Sequence, residues 1–250
     1  MKIKILSIFI VLISINNPSA QSVAYSVKGG LTAANQRFDG GGTYNNSLLF
    51  KYHGALSIEN APEDPTSVLY AQIGYHTRGH ARRYQRGVTV NYQTNQLVEI
   101  PGFKEEFVFN NLALLVGVKR RGVLNSPNAY YAIGLRAEYT ISNNLPGDNA
   151  NLPSVYSLYY PSKDFVRKLN YGLTLSGGYE FPFSDLTGGF IELNVHPDIS
   201  RQYFQPAIIV NSTNPITGEA IGTIPEQSIR NLTFEITLGF RFLRKVIYVD

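Results

Sequence analysis

The sequence predicts an all-β fold: an eight-stranded antiparallel up-and-down transmembrane β-barrel with long outer loops. Three observations predict it. The chain opens like a secreted protein, with Lys2 and Lys4 ahead of an apolar run over 5–15 and a small-residue exit at Pro18, Ser19 and Ala20. Eight later segments alternate apolar and polar residues, the mark of a strand with one face of each kind. Long and short connections between them follow in strict order, as outer loops and periplasmic turns do in an even-numbered barrel with both termini inside.

Residues 1–20 read as a signal peptide cleaved after Ala20, and 21–250 as one barrel domain. The opening apolar run is too short to serve comfortably as an uncleaved anchor. The chain has no cysteine, which excludes a lipid-anchored cysteine and any disulfide. Its formal charge of +4 includes Lys2 and Lys4, so cleavage leaves +2. That small balance argues against a nucleic-acid partner. Beyond the signal peptide no apolar stretch is long enough for a membrane-spanning helix.

The first segment sets Tyr25, Val27, Gly29 and Leu31 against Ser26, Lys28, Gly30 and Thr32. The second, over 48–59, sets Phe50, Tyr52, Leu56 and Ile58 against Lys51, His53, Ser57 and Glu59. The third, over 69–78, places Gln72, His76 and Arg78 on its polar face, and the fourth, over 111–119, places Asn111 and Lys119 there. The fifth, over 131–139, carries Arg136 and Glu138 on that face, and the sixth, over 169–180, carries Asn170, Thr174 and Glu180. The seventh sets Ile191, Leu193 and Val195 against Glu192, Asn194 and His196. The eighth, over 232–242, is the most regular: Leu232, Phe234, Ile236, Leu238, Phe240 and Phe242 against Thr233, Glu235, Thr237, Gly239 and Arg241. At its length and a 45° tilt it rises about 26 Å, the hydrophobic height of an outer membrane.

Short connections are expected over 60–67, 120–127 and 182–188, and long ones over 34–46, 79–106, 142–167 and 199–228. An additional outer hairpin is expected over 88–100. A soluble eight-stranded barrel with its apolar face inward is the competing architecture. Three features favour the membrane form: both charge signs on the polar face among small residues, Tyr and Phe flanking the apolar segments, and loops too long at one end for a compact carrier.

Eight strands enclose an interior that side chains fill, so solute conduction is not expected. Arg136, Glu192 and Glu235 are expected to form a lumenal charge cluster flanked by Lys28 or Lys51. In that reading Glu192 lies nearly opposite Glu235, and the Arg136 fork binds the carboxylates. His53 and His196 are expected to fill the lumen. Arg78, Arg82, Arg83 and Arg86 mark a candidate anion-binding patch at the outer mouth, suited to lipopolysaccharide phosphates or an acidic partner, with a solvated loop base as the plainer reading. His76 and His80 lie about 13 Å apart on one strand and cannot share an ion. No metal, cofactor or catalytic residue is therefore assigned. None of the four histidines has a serine two residues away, so serine chemistry has no base on its own strand.

V-K-G-G-L-T-A-A-N over 27–35, L-Y-A-Q-I-G-Y over 69–75 and Y-G-L-T-L-S-G-G-Y-E-F over 171–181 resemble strands of the PorT-like outer-membrane barrels of bacteria with type IX secretion. The resemblance implies a barrel without a catalytic motif, in the bacterial outer membrane, and a link to protein secretion. The long Pro- and Tyr-rich loops depart from that pattern. The expected function is non-enzymatic: a structural or docking component of a cell-envelope assembly, with outer-membrane lipid, envelope or secretion proteins as partners. The alternative is a lipid-modifying or proteolytic barrel enzyme.

Overall fold

The computed structural model describes residues 22–39, 46–61, 66–91, 96–123, 126–145, 162–209 and 223–244. The expected signal peptide lies outside them. Eight long strands form the wall: β1 Ser22–Asp39, β2 Leu49–Ala61, β3 Ser67–Tyr84, β4 Phe103–Val123, β5 Ser126–Asn143, β6 Leu169–Pro182, β7 Thr187–Pro197 and β8 Gln227–Arg244. Each pairs antiparallel with its neighbours in sequence. β8 also pairs with β1, from Val23↔Arg244 to Asp39↔Ser228, which closes the ring. Closure leaves none of the wall strands as a free edge, and lipid offers no partner for an unpaired backbone group.

The apolar face points outward. Val27, Leu31, Leu56, Leu69, Leu135, Leu193, Ile236 and Leu238 are exposed, while Ser26, Thr32, His53, Gln72, His76, Asn170, Asn194 and Thr237 are buried. This inversion decides between the two architectures, because a soluble barrel would bury the first set and expose the second. Exposed aromatics gather in two bands: Tyr25, Tyr131, Tyr179, Phe181, Phe183 and Phe242 toward the end where β1 starts and β8 ends, and Phe50, Tyr52, Tyr75, Tyr139 and Tyr171 toward the other. Amphipathic rings suit the two membrane interfaces.

β2 leads to β3, β4 to β5 and β6 to β7 at the end where β1 starts and β8 ends, while β1 leads to β2, β3 to β4, β5 to β6 and β7 to β8 at the opposite end. Between β3 and β4, Gly87–Asn91 and Gln96–Ile100 form a separate two-stranded hairpin, as expected. β3 pairs with β4 along the whole length of β3, up to Tyr84↔Phe103, whereas β5 leaves β4 at Phe109↔Asn143. The β3–β4 ladder therefore runs about 20 Å beyond the end of β5.

β7 is the shortest wall strand. Pro197 ends it, consistent with a residue that has no N–H to donate to the ladder. The chain then continues beside β8, where Tyr203 pairs with Ile229 and Gln205 with Gln227. The N–H groups of Ile199 and Ser200 donate to the Tyr171 carbonyl, and that of Arg167 donates to the Gln202 carbonyl. The segment after Pro197 thereby spans between β6 and β8 above the end of β7.

Candidate functional site

Among the described residues the interior is where the fold brings many ionisable side chains together, and it is layered. Toward the termini, Lys119 reaches Glu59 at 2.9 Å and Glu180 at 2.6 Å, while Arg121 reaches the same carboxylates at 2.7 and 3.2 Å. Arg241 lies beside both. Just above, Lys28 binds Glu192 at 2.8 Å, and the Tyr130 hydroxyl donates to the other Glu192 oxygen at 2.9 Å.

The middle layer is the densest. Arg78 is fully buried; its Nη2 donates to Glu138 at 2.6 Å and its Nη1 to Glu235 at 3.2 Å. Arg136 contacts Glu138 at 2.9 Å and donates to Asp198, which also accepts from the Asn231 side chain at 2.7 Å. Around Glu235 stand three imidazoles. His76 Nδ1 is 2.8 Å from Oε1, His196 Nε2 is 3.0 Å from Oε2, and His53 Nε2 is 3.7 Å from Oε2. His53 and His76 stack in parallel with centroids 5.5 Å apart. Thr32 and Thr237 hydrogen-bond with the two His53 nitrogens, and Thr174 with His196 Nδ1.

The outer end of the interior is apolar. Phe107 and Phe109 of β4, Leu145, Tyr203 and Ile229 form a buried cluster, with Phe38, Phe165 and Val166 against it. His80 stacks on Phe107 at 4.6 Å.

Every member of the expected charge cluster faces the interior, but the five fall into separate groups: Lys28 with Glu192, Arg136 and Glu235 in the middle layer, and Lys51 with Glu106. Glu192 pairs in register with Thr237, and it is Asn194 that lies opposite Glu235. The two carboxylates are therefore offset, each with its own cations. Arg136 holds Glu138 and Asp198 instead of Glu192 and Glu235. Lys28 does meet Glu192, while Lys51 leaves the cluster to bind Glu106 at 2.7 Å near the outer rim. Arg78 does not join the outer arginines: its inward parity on β3 and the paired carboxylates of Glu138 and Glu235 draw it into the lumen. Arg82 lies over the Phe107 ring at 4.9 Å, Arg83 is exposed, and Arg86 pairs with Glu99.

Sequence reasoning missed Arg78 as a lumenal cation, along with Glu138, Asp198 and the approach of His76 to His196. Arg78 and Glu138 lacked only level information, since parity already turned both inward, and Asp198 lies past Pro197 in what reads as loop. The fourth needs strands far apart in sequence to meet across the barrel, which no local pattern reports. Thr174, His196 and Glu235 form a hydroxyl–imidazole–carboxylate row. Thr174 is only 1% exposed, so no substrate carbonyl reaches its hydroxyl as the chain is arranged.

No curated protein shows a significant sequence match. Three solved structures resemble the chain in outline. They are Ail, the attachment invasion locus protein of Yersinia pestis, in complex with the heparin analogue sucrose octasulfate (10% identity, 90% of this chain and 100% of that one, TM-score 0.37); the outer membrane protein AlkL in lipid bilayers (10% identity, 95% and 96%, TM-score 0.37); and the outer membrane protease OmpT of Escherichia coli (9% identity, 91% and 98%, TM-score 0.35). At these values none transfers an activity. The family model for the outer membrane protein beta-barrel domain matches residues 19–200, most of the wall just described, and the chain belongs to that family of bacterial outer-membrane barrels.

Proposed function

We propose that this chain is a non-enzymatic outer-membrane barrel, a structural or docking component of a cell-envelope assembly whose binding surface is its outer end. The observation that carries this reading is the contrast between interior and rim. The described interior carries layers of ion-paired side chains with an apolar cluster at one end, which favours a packed scaffold over a solute path or an exposed nucleophile. The rim instead carries the projecting β3–β4 ladder and its hairpin, where Val88, Leu97 and Phe103 are exposed at 63%, 75% and 54% beyond the membrane-facing wall. Apolar side chains held on a paired, twisted ladder in water are the usual material of a protein-binding surface. The finer placement, beside type IX secretion, rests on the strand motifs over 27–35, 69–75 and 171–181.

The test is a pull-down from detergent-solubilised membranes, using the full chain and a variant in which 87–100 is replaced by an Asn-Gly turn. Envelope proteins recovered with the parent and lost with the variant support docking, and secretion components among them support the finer placement. Recovery of no partner, together with altered lipid A in a deletion strain, overturns the reading in favour of a lipid-modifying enzyme.

A further inference from the structure

We infer that the middle of the lumen is a binding site for one divalent transition-metal ion of the zinc class, held by His76, His196 and Glu235. The ligating atoms of these three residues, Nδ1 or Nε2 of each imidazole and a carboxylate oxygen, all lie within 4.8 Å of one another, and all three residues are buried. They come from β3, β7 and β8, so the closed barrel assembles a set that no short stretch of sequence contains. Two imidazoles and one carboxylate are a borderline-soft donor set, which suits Zn²⁺, Co²⁺, Ni²⁺ or Cu²⁺ and not Mg²⁺ or Ca²⁺.

Two further features support a cation there. The first is charge. The middle layer opposes the guanidinium groups of Arg78 and Arg136 to the carboxylates of Glu138, Asp198 and Glu235. Three carboxylates thus meet two guanidinium groups, and a buried uncompensated charge is costly. Lys28 does not make up the deficit, because Glu192 takes its ammonium. The second is orientation. Thr174 Oγ1 lies 2.9 Å from His196 Nδ1, so accepting that N–H leaves Nε2 as a lone pair aimed at Glu235. A hydrogen-bonded partner on the far ring nitrogen is the usual support of a metal-bound histidine. Arg78 Nη1 holds Glu235 Oε1, which fixes the carboxylate with Oε2 turned toward His196 and His53. The neighbouring His53 stays outside the set: its Nδ1 is 3.0 Å from Thr32 Oγ1 and its Nε2 is 2.9 Å from Thr237 Oγ1.

The test uses the full chain without an oligohistidine tag, folded in detergent and stripped with chelator. Titration with Co²⁺ should develop the visible absorption of a tetrahedral or five-coordinate site, saturate at a single equivalent and be reversed by Zn²⁺. Zn²⁺ should also raise the temperature at which the compact gel band is lost. His196→Gln and Glu235→Gln should abolish the absorption. Thr174→Val keeps every ligand and should weaken Co²⁺ binding by roughly 10–100-fold. His80→Ala, in the apolar plug, should bind as the parent does. Absence of the absorption and of the Zn²⁺ shift in the parent overturns the site. Binding that survives in the folded His76→Ala/His196→Ala protein overturns it too. Both readouts are independent of the pull-down, so failure of one proposal leaves the other standing.

Discussion

Arg78 is the side chain on which the interior turns. Its planar fork spans two carboxylates, Glu138 and Glu235, from opposite parts of the wall, at no exposure to solvent. Removing it leaves two buried charges short of a cation, which should cost about 3–5 kcal/mol. Arg78→Ala is therefore expected to lose its heat-modifiable band at a clearly lower temperature than the parent. Arg78→Lys should recover only part of the loss, since an ammonium cannot reach both carboxylates in a fixed plane. Arg136→Ala should act in the same direction through Glu138 and Asp198. Melting of both alanine variants with the parent would mean that the middle layer contributes nothing to stability. At this scale the sequence told inside from outside and little more. Alternation has a period of two, so it fixes parity; the level of a residue depends on hairpin register, and long loops carry no register information. Glu192 and Glu235 show the consequence. Both were expected inside and both are, yet their relative height is off by two residues. Asp198 was invisible because it follows Pro197, in what reads as loop.

Between neighbouring strands, the lower lumen is packed by aromatic side chains laid over glycines. Tyr70 faces Gly117 across β3–β4, Tyr130 faces Gly178 across β5–β6, and Phe190 faces Gly239 across β7–β8, each as a direct cross-strand pair. A Cβ at Gly239 would lie 2.3 Å from the tip of the Phe190 ring, and one at Gly178 would lie 2.5 Å from the Tyr130 ring. The glycines are slots: a narrow barrel can hold large inward rings only where the opposite position gives up its side chain. Gly239→Ala should accordingly destabilise by about 1–3 kcal/mol through overpacking. Replacing Phe190 with Leu in the same chain should return much of that loss, read as the midpoint of the gel-band transition. A cost unchanged by Phe190→Leu would place the strain in the backbone instead. The strands themselves were legible from alternation, and so was the outer hairpin. The pairing of ring with glycine was not, because each partner alone reads as an ordinary inward position. The register shifts in β4, between Asn110 and Asn111 and between Arg121 and Val123, left no local trace either.

The whole molecule is a closed cylinder with unlike ends. One end carries the start of β1, the end of β8, three short connections and the ion-paired layer of Glu59, Glu180, Lys119, Arg121 and Arg241. The other carries four long connections, the apolar plug and the projecting β3–β4 ladder. A chain entering the membrane from the periplasm translocates its long loops, so the end with the ladder is expected to face the cell exterior. The absence of native cysteine makes this directly measurable, because any introduced thiol is the only one. Gln96 lies in the outer hairpin and Asp185 in the turn between β6 and β7, and both are exposed. On intact cells Gln96→Cys should react with a membrane-impermeant maleimide, and Asp185→Cys should react only after the outer membrane is permeabilised. Neither change touches the wall, so both variants should keep the parent's gel shift and the labelling should report orientation alone. Labelling of Asp185→Cys on intact cells, with Gln96→Cys protected, would turn the barrel over. The exposed Val88, Leu97 and Phe103 would then face the periplasm, and any docking partner would have to be sought on that side.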